Sequence, residues 1–462
     1  MSGNERRDNI NIAYIGGGSR GWAWGLMSDL AMEPALGGTV RLYDIQLAAA
    51  EQNAVIGNRL SGREDVAARW RYEASPTLRE ALTGADFVII SILPGTFEEM
   101  RSDVHLPEEY GIYQSVGDTV GPGGLVRALR TVPLYVDIAE ALRDFAPEAW
   151  VINYTNPMTL CTRTLYEVFP EVKAIGCCHE VFGTQELLAA VAARKLGTGP
   201  IPRRDIRVNV LGLNHFTWVD RASWQGTDLL PLYREFAEEH REEGYEGERT
   251  GHWMNDHFSS AQRVKFDLFL RYGVIAAAGD RHLAEFMPGD LYLNDPDTVR
   301  EWKFSLTTVD WRISNARSLQ EKGRRLASGE EAFALKPTGE EGIDMIKALL
   351  GLEELVTNVN LPNRGQMAGI PEGAVVETNA LFRRDEVRPV FAGRLPHVVH
   401  DMTARHSANQ ELILRAALTR DKSLAFRAFV NDPLVTIPVR QAERLFERML
   451  ANTTSCLPGR EL

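Results

Sequence analysis

The chain is poor in cysteine. Cys161, Cys177, Cys178 and Cys456 are the only four in 462 residues. That is too few for a disulfide framework and argues for thiols in a reducing compartment. It also lacks any uncharged apolar run of about 18 residues, the length of a membrane-crossing helix, and its start, MSGNERRDNI, has no apolar core of a secretory signal. Positive charge is in deficit: 51 Lys+Arg against 63 Asp+Glu leave a formal net charge of -12, which disfavours nucleic acids and anionic membranes as partners. Internal repeats and low-complexity tracts are missing as well. The expectation is a cytoplasmic protein whose 44% hydrophobic content fills two domains or one large two-lobed unit.

What is present is most legible at the amino-terminal end. NIAYIGGGSRGWAWGLMSDL reads as an apolar strand, a turn at Gly16, Gly17, Gly18 and Ser19, and a helix with Trp22, Leu26, Met27 and Leu30 at helical spacing. TVRLYDI follows as a β-rich run ending on Asp44, then a strand near WRYEAS, a helix near 77–83 and the strand DFVIISIL. This alternation predicts parallel βαβ units, an α/β fold with a Rossmann-type doubly wound sheet and ligands at the carboxyl ends of its strands. Glycines there let the backbone approach a pyrophosphate at a helix N-terminus, and a carboxylate at Asp44 suits the ribose hydroxyls of NAD while repelling the 2′-phosphate of NADP. An ordinary tight turn with Asp44 as a helix N-cap fits the same residues. The expected division is a NAD-binding domain over 1–200 and a mixed α+β domain over 201–462 that completes the active site and the subunit interface.

Chemistry-bearing residues collect at the predicted strand tips. VINYTNPM ends a strand at 153–156, so that Asn156 projects from the carboxyl edge; AIGCCHEVFG ends another with Cys177, Cys178 and His179, and period-two alternation sends the two cysteines to opposite sides. Adjacent cysteines also make a strained disulfide. DIRVNVLGLNHFTWV carries His215 in a third β-rich setting. A thiolate and an imidazole at two strand ends can share a metal with open positions for substrate oxygens, and such soft ligands point to zinc. Buried packing cysteines and an ordinary histidine satisfy the same pattern. Farther on, GIDMIKALLGLEELV and ELILRAALTRDKSLAFRAFVNDP read as amphipathic helices.

IAYIGGGS, GDTVGPGG, NYTNPM, GCCHEVFG, GLNHFTW, RYGVIAAAGDRHLAEF and NVNLPNRGQ, in this order over nearly the whole chain, resemble the NAD-dependent glycoside hydrolases of family 4. GIYQSVGDTVGPGG, GCCHEVFGTQ and AAGDRHLAEF are most similar to its α-galacturonidases. The resemblance implies metal ligation by Cys178 and His215, with Mn²⁺ rather than zinc because substrate and water oxygens complete the shell. It implies that His179 protonates the leaving oxygen, that Asp280 is the base at C2 (the phospho-glycosidase branch uses a tyrosine; Tyr272 is nearby), and that Asn156 reaches the substrate. Asp118 is expected at a sugar hydroxyl or a metal-bound water. The implied reaction removes hydride from C3, eliminates the glycosidic oxygen after C2 deprotonation, adds water and returns the hydride, an exception to two-carboxylate glycosidases.

A galacturonide also needs a cation for its C6 carboxylate, and Arg281, His282 and Arg364 are the candidates. Family members assemble as dimers or tetramers, so a homo-oligomer acting on small pectin-derived galacturonides is expected. The alternatives are another family 4 activity (α-glucosidase, α-galactosidase or α-glucuronidase), a NAD-dependent hydroxy-acid dehydrogenase, which would accumulate NADH with product, and a non-catalytic NAD-binding regulator.

Overall fold

In the computed structural model, residues 6–246 and 260–453 are described; Cys456 lies outside them. Six strands, β1 (Arg7–Ile15), β2 (Leu36–Tyr43), β3 (Trp70–Ser75), β4 (Phe87–Ile90), β5 (Trp150–Asn153) and β6 (Lys173–Gly176), pair in parallel in the order β3-β2-β1-β4-β5-β6. This is the doubly wound order with its switch point between β1 and β4.

Alternation explains why these strands are apolar throughout. Ile12, Tyr14, Phe87, Ile89, Ile152 and Ile175 face one core, shared with helices Trp22–Met32, Leu47–Ser61 and Gly342–Leu349. Their neighbours Ala13, Ile15, Val88, Ile90, Val151 and Ala174 face the other core, shared with helices Gly121–Phe145 and Met158–Val168. Each fully buried Ile or Val on such a strand contributes roughly 1.5–3 kcal/mol.

β7 (Arg207–Leu213) and β8 (Phe216–Trp224) form a hairpin, extended by β9 (Thr227–Asp228) and β10 (Ile275–Ala276). The carboxyl-terminal half then returns to the first sheet through β11 (Leu355–Pro362), followed by β12 (Met367–Ala368), β13 (Val375–Arg383), β14 (Glu386–Pro389) and β15 (Gly393–Arg394). β11 pairs antiparallel with β6, and β13 and β14 continue the sheet to nine strands. One sheet therefore runs through both halves of the chain. Gly351, at φ 76, breaks the predicted helix GIDMIKALLGLEELV: the helix stops at Leu349 and the remainder enters β11. The carboxyl-terminal amphipathic stretch divides likewise at Arg420, φ 56, into helices His397–Thr419 and Lys422–Asn431, the second capped by the Asp421 side chain. Among the described residues no helix is long and apolar enough to cross a membrane.

Candidate active site

The glycine turn closes β1 against β2. The amides of Gly16 and Gly17 both donate to the carbonyl of Tyr43, and the amide of Gly18 donates to Asp44 Oδ2 at 3.0 Å. A Cβ on Gly16, whose φ is 91, would lie 2.0 Å from the Ser91 carbonyl oxygen, so the chain's own packing demands glycine there. The glycine turn is a strict G-x-G-x-x-G after all, with Gly16, Gly18 and Gly21 on its three positions. Helix Trp22–Met32 starts at Gly21 with neither a side-chain cap nor an acid in its first turn, which leaves its amides available to an anion. Asp44 stands at the β2 tip, its other oxygen accepting from the Gln46 amide at 2.9 Å.

Three other segments converge at the carboxyl edge. Ligand atoms of Asp118, His215 and His282 all lie within 4.8 Å of one another. His215 sits in the two-residue turn of the β7–β8 hairpin at φ 64, buried to 3%, and its ring stacks on His282 with centroids 3.7 Å apart. Holding a non-glycine residue in the left-handed region is characteristic of functional turns. Thr119 Oγ1 donates to Asp118 Oδ1 at 2.7 Å and lies 2.9 Å from His215 Nδ1. The hydroxyl has one proton and the carboxylate only accepts, so His215 Nδ1 is the protonated nitrogen and Nε2 keeps its lone pair. Burial, reinforced by the neighbouring His282, pushes His215 down to about 3. Burial opposes ionisation of Asp118, but the neighbouring Arg127 charge outweighs it and holds the carboxyl below the usual carboxylate range. Two neutral imidazoles and an ionised carboxylate make a donor set for a divalent cation. Asn156 stands beside them, its Nδ2 3.4 Å from Asp118 Oδ2 and its Oδ1 buried without a partner.

The short helix Asp280–Phe286 explains the DRHLAEF motif, and several expectations change there. His282 belongs to the histidine cluster, and burial holds its imidazole below the usual range, so it is not the cation expected for a carboxylate. Arg281 donates through Nη2 to the Ser115 carbonyl and Thr307 Oγ1 and through Nε to the Ser305 carbonyl at 3.0 Å; its guanidinium ties two loops together rather than facing substrate. Glu285 accepts from the amides of Val116 and Gly117 at 2.7 and 2.8 Å and so fixes the loop that carries Asp118. Asp280 is fully buried and accepts from the amide of Lys265 at 3.0 Å, in the first turn of helix Arg263–Tyr272. Burial pushes its pKa up and the Lys265 charge opposes the shift. Asp280 Oδ1 is thus held by the segment 260–265, while its buried Oδ2 has no partner among the described residues. Arg364 lies past the end of β11, which runs antiparallel to β6, and shares a surface cavity with Trp150 and Lys173. Those residues begin β5 and β6, which puts Arg364 at the opposite edge of the sheet from Asp118.

The two cysteines separate as alternation requires. Cys177 packs in the core beneath helix Trp22–Met32. Cys178, outside the three-residue cluster, lies beside Asn214 and near Glu377 and Glu180; burial and these two carboxylates push its thiol well above the ordinary value. Glu377 on β13 accepts from Asn358 at 2.7 Å, and Asn358 also donates to the Cys178 carbonyl at 3.2 Å. His179 immediately precedes helix Glu180–Leu196, and its Nδ1 pairs with Glu340 Oε1 at 2.8 Å. Burial opposes protonation, but Glu340 outweighs it and holds His179 at about 9. Glu180 accepts from the Gly279 amide at 2.7 Å and so joins this strand tip to the helix of His282.

Comparison with known proteins shows what this arrangement belongs to. Residues 11–193 match the model of family 4 glycosyl hydrolases, and residues 210–435 match that of their C-terminal domain. The chain belongs to glycosyl hydrolase family 4. Within the family it is 62% identical over 98% of its length, and 97% of the relative's, to a protein of Thermoanaerobacterium saccharolyticum named α-galacturonidase. A crystal structure from Bacillus subtilis, 56% identical, superposes with a TM-score of 0.91 over 96% of this chain and 100% of that one. A 6-phospho-α-glucosidase from gut microorganisms, solved with NAD and Mn²⁺, shares the fold at 18% identity and a TM-score of 0.80, covering 97% of this chain and 99% of its own.

For this family 4 chain, sequence reasoning missed Glu180, Glu285, Glu340 and Arg127 as parts of the site. The first two sit inside quoted motifs, GCCHEVFG and DRHLAEF, where buried acids in polar company were a usable signal. Glu340 comes from a charged loop with no such signal.

Proposed function

We propose that the protein is an α-galacturonidase that uses NAD and Mn²⁺ and acts on small α-linked galacturonides such as pectin fragments. The observation that carries this reading is the cluster of Asp118, His215 and His282, half-buried around the buried His215, in a chain 62% identical to a protein named α-galacturonidase. The residues fit both groups: the uncapped amino end of helix Trp22–Met32 suits a pyrophosphate, and the partnerless Nδ1 of His282 and Oδ1 of Asn156 are buried polar atoms that a metal and substrate would satisfy. When bound, NAD takes and returns a hydride at C3 and the metal polarises oxygen there.

The chain supplies the rest. His215, Asp118 and His282 hold the metal, with Cys178 as the thiolate of the adjoining strand tip. Gly16, Gly17, Gly18, Ser19 and Asp44 hold NAD. Asn156 and Asp118 orient sugar hydroxyls. His179, kept protonated by Glu340, carries the proton for the leaving oxygen. Three free thiols are consistent with a cytoplasmic location. The exposed Val390 and Phe391, just past the edge strand β14, support a homo-oligomer. Hydrolysis of an α-galacturonide in D₂O with NAD and Mn²⁺ is expected to leave deuterium at C2 of the released sugar without net NADH. Turnover with no deuterium at C2 would reject the elimination route.

A further inference from the structure

Helix Gly121–Phe145 carries two buried arginines, three residues apart, with opposite fates. Arg130 is saturated: Nη1 meets Asp103 Oδ1 at 3.0 Å, Nη2 meets Oδ2, and Nε donates to the Pro94 carbonyl at 2.9 Å. Arg127 is only 5% exposed, yet its one hydrogen bond is from Nε to the Asn156 carbonyl at 3.1 Å. Its terminal nitrogens are not among the sealed polar atoms, and among the described residues neither has a partner. Asp118 lies within electrostatic reach of Arg127, but the two form no ion pair. The neighbouring guanidiniums of Arg130 and the half-buried Arg312 add repulsion. A buried cation without a contacting counter-ion is strongly unfavourable, so such an arrangement calls for an anion from outside the chain.

We infer that Arg127 binds the C6 carboxylate of the galacturonide, its two terminal N–H groups forming the parallel pair that a carboxylate accepts. The inference rests on the galacturonidase reading and names the residue that sets substrate class. It follows from position as well as chemistry. Nε bonding to the Asn156 carbonyl orients the fork, and Asn156 with Asp118 forms the wall at which sugar hydroxyls are held. The cations that the sequence offered do not serve: Arg281 is spent on Ser115, Ser305 and Thr307, Arg364 is at the far edge, and His282 belongs to the donor cluster with Asp118 and His215. A bidentate arginine also discriminates against the neutral hydroxymethyl of a galactoside, for which a buried fork finds no matching acceptors.

The test uses the holoenzyme with NAD and Mn²⁺ and compares kcat/KM on an α-galacturonide and on the matching α-galacturonamide, which is neutral at C6. Arg127→Gln is expected to reduce the acid-over-amide preference by about 100-fold, with most of the loss in KM for the acid, and Arg127→Lys to restore part of it as a point charge without the fork. Equal losses on both substrates would overturn the inference, because they would show that Arg127 only holds the Asn156 loop. Should Arg127→Gln fail to fold, Arg127→Lys decides through product binding: galacturonate-over-galactose preference about 10-fold lower supports the inference, and an unchanged preference overturns it. A wild-type enzyme with no preference for the acid would instead overturn the functional reading itself, and the inference with it.

Discussion

The glycine turn and the histidine chamber lie at the same edge of one sheet and are built in contrary ways. In the turn the strand-tip contacts are local: Gly16 and Gly17 bond Tyr43, Gly18 bonds Asp44, and Asn53 Nδ2 donates to the carbonyls of Gly17 and Ser19 at 2.8 and 2.9 Å, while the first amides of helix Trp22–Met32 have no side-chain cap. In the chamber buried atoms of Asn156, Asn214, His282 and Asn360 have no partner among the described residues. The first region is stable as folded, whereas the second keeps unsatisfied donors and acceptors in place because the surrounding packing leaves them no alternative. Unsatisfied groups concentrate where a ligand is to complete them.

The largest effect that would sharpen this contrast is at His282. As a member of the donor cluster, His282→Ala should reduce Mn²⁺ affinity in calorimetric titration and lower kcat/KM on the order of 1,000-fold. A change confined to KM for acidic substrates, with metal affinity intact, would return His282 to the substrate-reading role its sequence position first implied.

Next in size is the proton donor. Glu340 holds His179 at about 9 against the ordinary 6.5. A histidine that must donate a proton works below its pKa, so activity falls as pH rises through about 9. The stability contributed by the protonated pair has the same sign: it is complete below about 6.5 and lost as pH rises through about 9. Glu340→Gln should move the alkaline limb of the rate profile toward neutral pH, with about 100-fold lower activity near pH 8.5. An unmoved limb would separate Glu340 from the chemistry.

The smallest effect concerns Asp280, whose Oδ1 is bonded to the Lys265 amide and whose buried Oδ2 is left without a partner among the described residues. The resemblance makes it the C2 base, while its bond to the Lys265 amide makes it a cap for helix Arg263–Tyr272. On the geometry, Asp280→Asn should cost about 1–2 kcal/mol in denaturant unfolding and leave C2 deuterium exchange in the folded enzyme. Exchange abolished at unchanged stability would restore the base.

Much of the fold was legible because its signals are periodic and local. Strands buried on both faces, a glycine turn followed by a helix, and Asn156, Cys178 and His179 at strand tips all follow from spacing. His215 was legible too, through the N-H turn between two β-rich runs. The cation at C6 was not. DRHLAEF places Arg281 and His282 side by side, and only the fold shows that one bonds loop carbonyls while the other stacks on His215 at 3.7 Å. Arg364 illustrates the same limit: its motif NVNLPNRGQ matches the family, but the antiparallel pairing of β11 with β6 carries it to the other edge.

By itself the sequence determined the α/β class, the nucleotide-type turn, the family and the chemistry of the residues at the strand tips. These depend on periods of two and 3.6 residues and on backbone geometry that only glycine tolerates. The tertiary structure alone decided which polar side chains face each other and which are used up, because those contacts join segments far apart in the chain. Asp118, His215 and His282 come from three such segments, and the partnerless end of Arg127 can be recognised only where Arg130, on the same helix, is seen to be satisfied.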